Sequence, residues 1–188
     1  MEIKHSGPKI FLRDVSLSDV NVQYLKWMND PEVNRYMETK FESQTYESIH
    51  RYVLDHQTKQ SEAFLAICLS ESGRELQTPS YPFDHSNHIG NLKIGPINPV
   101  HRSADISLFI GEKSFWGKGY GKDAVLFGCI HAFKNLNLHR LRAGVYAPNM
   151  ASRKLFLSCG FEQEGIMKEA AFFEGEYVDV YIFGKTKE

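Results

Sequence analysis

The sequence lacks the features that mark membrane-spanning, secreted and nucleic-acid-binding proteins. Among its 188 residues, no apolar run approaches the ~18 residues that a membrane-spanning helix needs. The first residues lack the apolar stretch of a signal peptide. The formal net charge is only -1, which argues against a partner bound by bulk electrostatic attraction to nucleic acid. We therefore expect a globular, cytoplasmic protein without a membrane or nucleic-acid partner.

The sequence also lacks paired cysteines and clusters of metal-binding residues. The three cysteines, Cys68, Cys129 and Cys159, form no CxxC pair and stand among apolar neighbours, so we expect buried, reduced thiols. His85 and His88 have no third ligand close by in the sequence, and we therefore expect no metal site.

The sequence does contain many short strand and helix patterns. The predicted order is β-α-α-β-β-β-α-β-α-β with one or two further strands, which is a mixed α/β class without strict alternation. The length favours one domain spanning residues 1–188. The main predicted elements are a strand at Lys9–Val15, a helix from Val20 to Pro31, a helix at Thr45–Asp55, a strand at Ala63–Ser70, a loop at Glu71–Asn87, a helix ending near Asn135 and a C-terminal hairpin.

The stretch Ser114–Ala124, "SFWGKGYGKDA", places three glycines where a helix is predicted to begin. A glycine inside a helix costs about 1 kcal/mol relative to alanine, so these residues serve another purpose. A nucleotide P-loop would need Gly at the position of Trp116 and Ser or Thr at the position of Asp123, which excludes that motif.

Two phosphate-binding interpretations and one structural interpretation of the glycines remain after the P-loop is excluded. "GYGKDA" matches the dinucleotide fingerprint by its letters, but the approach from Ile110 is too long, and the next strand has no acidic residue for a ribose. The other interpretation is a helix N-terminus whose free amides bind a pyrophosphate, with Lys113, Lys118 and Lys122 nearby. A glycine-rich turn with solvated lysines is the plain alternative.

The surrounding motifs decide between these alternatives, because their order resembles the GNAT N-acetyltransferases, and within them the RimJ/RimL-like branch. Gly119 and Gly121 match the loop glycines of that family, and Trp116 stands where Gln or Arg is usual, a form common in this branch. Two more blocks match downstream: Asn149, Ser152, Gly160 and Phe161, and then Glu164 to Val180. The resemblance covers nearly the whole chain.

The resemblance implies a fold, a reaction and a cosubstrate. The fold would be α/β (α+β), a single GNAT-like domain with a central mixed, mostly antiparallel twisted sheet flanked by about four helices. The reaction would be acetyl transfer from acetyl-CoA to a primary amine by direct attack, with help from a general base. The residues expected to bind acetyl-CoA are Phe109, Ile110, Trp116, Gly117, Lys118, Gly119, Tyr120, Gly121, Lys122, Asn149 and Ser152.

The resemblance also suggests catalytic groups. Asp105 is the predicted base, because strand alternation places it on one face with Ser107 and Phe109; a solvent-facing charge is the alternative. A backbone amide between Leu108 and Ile110 would bind the developing oxyanion. Ser152 is the predicted acid, although a serine at this position of a helix can simply bond backbone amides. Phe156 occupies the place where many relatives have a tyrosine.

The acceptor wall is expected to come from the first two helices and the last hairpin. We expect a small-molecule amine such as an amino sugar or a polyamine; a peptide N-terminus, or a non-catalytic acyl-CoA-binding module, are the alternatives. The sequence does not decide between a monomer and a homodimer. The predicted acceptor residues are Trp27, Asn29, Glu32, Arg35, Tyr36, Phe172 and Glu174.

Overall fold

The computed structural model describes residues 3–70 and 87–188. The predicted loop at Glu71–Asn87, with His85, lies outside the described residues except for Asn87. The strands are β1 (Ile3–Ser6), β2 (Ile10–Asp14), β3 (Ala63–Leu69), β4 (His88–Ile94), β5 (Ser103–Ile110), β6 (Arg140–Tyr146), β7 (Glu162–Phe173) and β8 (Glu176–Thr186). The α-helices are α1 (Val22–Asn29), α2 (Tyr46–Thr58), α3 (Tyr120–Ile130) and α4 (Met150–Ser158).

The eight strands form one mixed sheet in the order β1-β2-β3-β4-β5-β6-β8-β7. Neighbouring strands run antiparallel, except that β5 and β6 run parallel. The predicted class and the mostly antiparallel sheet are therefore confirmed. Strand β1 is one of the additional strands, and β7 begins at Glu162, earlier than the predicted hairpin.

The sheet opens between its two parallel strands. Strand β5 pairs with β6 only over Ser103–Asp105 and Arg140–Arg142. Beyond this point β5 continues beside β4 as far as Ile110, while β6 continues beside β8 as far as Tyr146. The two strands therefore separate toward their C-terminal ends, and we call this opening the split.

Each face of the sheet is covered by helices that bury apolar side chains. One core joins α3 and α4 to the sheet through residues such as Ile106, Val125 and Phe156. The other joins α1 and α2 through Trp27 and Val53. Burial of this apolar surface, at about 25 cal/mol per Å², fixes the helices on the sheet. The three cysteines are free and buried, as predicted.

Helix boundaries follow their capping residues. The side chains of Asn21 and Thr45 accept hydrogen bonds from the first turns of α1 and α2, which is why these helices begin there. Helix α3 ends at Ile130, and the chain continues in a π-helical turn at His131–Asn135, so the predicted single helix is divided in two. Gly160 follows α4 with a φ of 79°, the left-handed ending that glycine favours.

Candidate functional site

The glycine stretch forms a loop that requires glycine for its backbone shape. Gly117 and Gly119 have φ angles of 72° and 88°, in the left-handed region that other residues adopt at a cost. A Cβ at Gly117 would meet nothing within 4 Å, so at Gly117 the requirement is conformational. Gly121 has no such angle and lies in the first turn of α3.

The N-terminus of α3 has no capping side chain. Its N-cap is Gly119, and the first helical hydrogen bond runs from the Asp123 amide to the Gly119 carbonyl, at 3.1 Å. The first-turn amides, including those of Gly121 and Lys122, have no partner within the helix. Since the helix dipole adds positive potential there, the arrangement suits a bound anion.

The lysines around this loop differ in their pairing. Lys113 Nζ lies 2.9 Å from Asp30 and 3.1 Å from Glu32, so its charge is already balanced. Lys118 and Lys122 are exposed, and no ion pair of theirs occurs within residues 3–70 and 87–188. Lys9 adds a third ammonium, because its Nζ donates to the Lys118 carbonyl at 3.3 Å. These three lysines carry the available positive charge beside the helix N-terminus.

Trp116 ties the loop to the end of β5. Its indole Nε1 donates to the Ile110 carbonyl at 2.7 Å, while 43% of the residue remains exposed. The loop is thereby fixed beside the split.

The backbone of β5 presents polar groups to the split. The Gly111 amide donates to Ile89, and the Asp105 carbonyl accepts from Gly95, both at 2.8 Å. The hydrogen-bonding direction of the backbone alternates along an antiparallel strand. The backbone groups of Asp105, Ser107 and Phe109 therefore form hydrogen bonds to β4. Leu108 and Ile110 therefore direct their amides and carbonyls toward the split, where the Leu108 amide can donate to a ligand carbonyl.

Asp105 lies at the closed end of the split and is held by Arg142. The guanidinium donates from Nε to Oδ1 at 2.7 Å and from Nη2 to Oδ2 at 3.0 Å. This hydrogen bond with Asp105 raises the pKa of Arg142. The carboxylate is about half exposed, so solvent and ligands can reach it.

The residues at the start of α4 also face this region. The Asn149 side chain accepts from the Ser152 amide at 3.1 Å, which leaves the Asn149 amide group for other partners. The Ser152 hydroxyl is half-buried and makes no hydrogen bond to any described residue. Phe156 is 2% exposed and packs against Phe161 and Phe183.

Several predicted acceptor residues hold the surrounding structure together. Trp27 is 4% exposed and packs in the α1–α2 core. The Asn29 side chain bonds the backbone of Gln44 in both directions, at 2.9 Å. Glu32 is one of the two partners of Lys113.

Arg35 and Tyr36 join the predicted hairpin wall. Arg35 makes two hydrogen bonds to Glu174, at 2.9 and 3.2 Å. The Tyr36 ring stacks on Phe173, with centroids 5.1 Å apart, and meets the Tyr146 ring edge-on. The segment between α1 and α2 and the C-terminal hairpin therefore meet in space.

A cleft of about 510 Å³ lies where the segment between α1 and α2 crosses β6, β7 and β8. It shares β6 with the split, since Gly144 and Tyr146 lie just beyond Arg142. Phe172 is the one predicted acceptor residue that lines it. The lining residues are Glu38, Phe41, Gly144, Tyr146, Met167, Ala170, Ala171, Phe172 and Val180.

Two polar side chains of the cleft, Glu38 and Tyr146, form a hydrogen bond with each other. The Tyr146 hydroxyl donates to Glu38 Oε1, across a separation of 108 residues. Partial burial, together with this hydrogen bond, raises the pKa of Tyr146 to about 12. Sequence reasoning missed Glu38, Phe41 and Tyr146, because no local motif connects segments so far apart.

Within the part of the chain that the structure describes, no helix is long and apolar enough to cross a membrane. The same residues contain no group of three or more histidine, cysteine or acidic side chains placed to bind a metal ion.

The chain matches a known protein family and resembles several known proteins. Residues 9–162 match the family model described as an acetyltransferase (GNAT) domain. An uncharacterized N-acetyltransferase, p20, of Bacillus licheniformis is 29% identical over 182 residues, covering 95% of this chain and 93% of its own. Spermidine N(1)-acetyltransferase of Vibrio cholerae is 34% identical over 94 residues, 50% of this chain and 54% of its own.

A solved structure shares the whole fold. The spermidine N-acetyltransferase of Vibrio cholerae, crystallised with CoA and spermine, superimposes with a TM-score of 0.80 at 22% identity and covers 96% of both chains.

Proposed function

Because the chain belongs to the GNAT acetyltransferase family, it is an acetyl-CoA-dependent N-acetyltransferase, and we propose that it acetylates a small-molecule primary amine bound in the cleft beside β6. The observation that carries the proposal is the position of the cleft. It shares β6 with the split, and the uncapped N-terminus of α3 lies on the other side of that split.

The loop and the start of α3 fit a pyrophosphate of acetyl-CoA. Gly117 and Gly119 give the backbone its left-handed turns, and the amides of Gly121 and Lys122, with the Lys118 and Lys122 side chains, would hold the phosphates. Acetyl-CoA supplies the acetyl group as a thioester. The Leu108 amide would donate to the thioester carbonyl, and the Asn149 amide group would bond the pantetheine arm.

The acceptor amine must lose a proton before it can attack, because an amine with a pKa near 10 is mostly protonated at neutral pH. We propose Asp105 as the base, acting directly or through water. Arg142 holds its carboxylate in place at the closed end of the split. Ser152, whose hydroxyl has no described partner, is the proposed acid for the departing thiolate.

The acceptor class rests on the size and enclosure of the cleft. A volume of about 510 Å³ accommodates a small molecule. A polyamine, spermidine, is the substrate named for the similar Vibrio cholerae enzyme, and an amino sugar is the other small amine that we predict. A peptide N-terminus, the RimJ/RimL-like branch, a cytoplasmic location and a monomeric or homodimeric state remain predictions.

An acceptor panel with the variant Asp105→Asn tests this function. The panel contains polyamines, amino sugars, simple monoamines and peptides with free N-termini, and release of the CoA thiol is measured. We expect wild-type turnover with at least one small amine, and a fall of roughly 10²–10⁴-fold in Asp105→Asn with acetyl-CoA affinity retained.

Asp55→Asn provides the matched control, because Asp55 is an exposed aspartate on α2, away from the split. This variant should keep wild-type turnover. Turnover with peptide N-termini alone would contradict the small-molecule acceptor, and unchanged turnover in Asp105→Asn would remove Asp105 as the base.

A further inference from the structure

We propose that Glu38 binds the ammonium group of the acceptor, and that the cleft selects a primary amine with a single positive charge and an apolar or aromatic body over a linear polyamine. This inference rests on the proposed function, whose acceptor class it narrows.

Glu38 is the unneutralised carboxylate of the cleft. Among the nine described lining residues it alone is charged, and no ion pair of Glu38 occurs within the described ranges. Two other acidic residues of this region have basic partners, since Glu174 pairs with Arg35 and Glu32 shares Lys113 with Asp30. A cationic amine that enters the cleft therefore finds one carboxylate free to receive it.

Tyr146 fixes the orientation of this carboxylate. Its hydroxyl donates to Oε1 of Glu38. Since its pKa is raised to about 12, Tyr146 keeps its proton and remains a donor throughout the neutral range. Carboxylate oxygens accept several hydrogen bonds each, so Glu38 retains capacity to accept from an ammonium group.

Aromatic rings next to Glu38 attract positive charge, as Lys40 demonstrates. The Lys40 ammonium lies 4.9 Å from the ring centre of Phe41, 5.1 Å from that of Tyr146 and 4.7 Å from that of Phe173. These distances are within the range of cation–π attraction. The rings therefore already hold one ammonium, that of Lys40, and two of them, Phe41 and Tyr146, also line the cleft beside Glu38.

The same lysine limits how much positive charge the cleft accepts. One free carboxylate balances one ammonium, and Lys40 stands at the edge of the cleft with its own charge. A polyamine with several ammonium groups would bring like charges toward Lys40 and would leave most of them without a carboxylate, which is unfavourable in a partly enclosed site.

The remainder of the lining indicates the body of the acceptor. Gly144, Val180, Met167, Ala171 and Phe172 offer apolar surface and no side-chain hydrogen bond. An apolar or aromatic body gains free energy by covering this surface, whereas the hydroxyl groups of a sugar would lose their bonds to water. Phenethylamine is thus a suitable probe, and spermidine and glucosamine are its competitors.

The experiment measures kcat and KM for these three amines in wild type and in Glu38→Gln. We expect the wild type to prefer phenethylamine by kcat/KM. Glu38→Gln should raise its KM at least tenfold and leave the KM for acetyl-CoA unchanged. Glu42→Gln is the matched control, because Glu42 is an exposed glutamate on the same segment that does not line the cleft; it should behave as wild type.

Two further variants test the geometry and the charge count. Tyr146→Phe removes the hydrogen bond to Glu38 while keeping the ring, and should raise the KM for phenethylamine by a smaller factor. Lys40→Glu exchanges the positive charge for a second carboxylate, and should shift the kcat/KM ratio toward spermidine.

The outcomes separate this inference from the proposed function. A wild-type preference for spermidine, or a KM for phenethylamine that Glu38→Gln does not change, overturns the inference while acetyl transfer to small amines stands. Absence of turnover with every small amine overturns the proposed function itself. Thermal unfolding of each variant establishes that the measured protein is folded.

Discussion

In the proposed site, the phosphate side and the acceptor side are built in opposite ways. The phosphate side relies mainly on backbone groups of one continuous stretch, Trp116–Lys122, shaped by glycines with positive φ. The acceptor side uses side chains from three separate parts of the chain, represented by Glu38, Tyr146 and Phe172. A site made of backbone leaves a short motif in the sequence, whereas a site assembled from distant side chains does not.

The two sides also differ in the charge that they leave unpaired. Beside the N-terminus of α3, within the described part of the chain, three lysines without an ion pair, Lys9, Lys118 and Lys122, outnumber one acidic residue, Asp123. In the cleft the unpaired charge of the lining is negative, on Glu38. The first arrangement complements an anionic cosubstrate and the second a cationic acceptor. Substitutions that affect only one side should therefore separate the binding of the two substrates.

The largest effect on acetyl-CoA binding is expected from Gly119→Val. A valine at φ 88° is strained, because β-branched residues are rare in this region, and its Cβ would lie 3.5 Å from Lys9 Nζ, beside the proposed phosphate site. We expect acetyl-CoA affinity to fall by more than about 100-fold, equivalent to roughly 2.7 kcal/mol or more, with cooperative unfolding preserved. Isothermal titration calorimetry and thermal unfolding measure the two quantities.

Gly165→Val is the matched control for this substitution. A Cβ at Gly165 meets nothing within 4 Å, and the residue has no positive φ, so the added side chain causes no strain. Unchanged acetyl-CoA affinity in Gly119→Val would contradict the pyrophosphate site.

A loss of stability is expected from breaking the buried ion pair between β2 and the turn that precedes α1. Arg13 and Asp19 are joined by hydrogen bonds of 2.5 and 2.7 Å, and both are almost completely buried. Asp19→Asn should lower the free energy of unfolding by about 3–5 kcal/mol, because the guanidinium is left buried without a counter-charge. Urea unfolding measures the loss, and the exposed Asp14→Asn should change little.

The same pair predicts a pH dependence of stability. Burial opposes the charged form of Asp19, but the hydrogen bond from Arg13 and the other charged and backbone partners outweigh it, and its pKa lies below the usual value. A lowered pKa in the folded state stabilises the protein above the unfolded-state pKa of about 3.9. This stability is lost as the pH falls through the folded-state value. Wild type should therefore lose more stability than Asp19→Asn between pH 5 and acid pH.

The smallest effect is expected at the start of α4, which is capped where α3 is not. Asn149→Ala removes the bond to the Ser152 amide and should cost about 1 kcal/mol in urea unfolding. Asn149→Ser keeps an oxygen at the cap but removes the amide group. If that amide binds acetyl-CoA, both variants lose affinity for acetyl-CoA, but only Asn149→Ala loses stability. Equal acetyl-CoA affinity in the wild type and both variants would assign Asn149 to the helix cap alone.

Sequence reasoning succeeded where a feature is local. The helix predicted at Thr45–Asp55 is observed at Tyr46–Thr58, directly after its cap Thr45, and a helix begins within the glycine stretch, at Tyr120. Sequence reasoning could not anticipate that Lys113 would pair with Asp30 and Glu32, or that Arg35 would pair with Glu174. These contacts join segments far apart in the chain, and only the packing of helices on the sheet decides them.

The split between β5 and β6 has a mechanical consequence. Three residue pairs at its closed end are the strand pairing that links the two halves of the sheet, and the bidentate contact between Asp105 and Arg142 lies on the last of them. This contact therefore joins β5 to β6 at the point where the two strands separate. The residue that we propose as the base is thus also a cross-link between the two halves of the sheet.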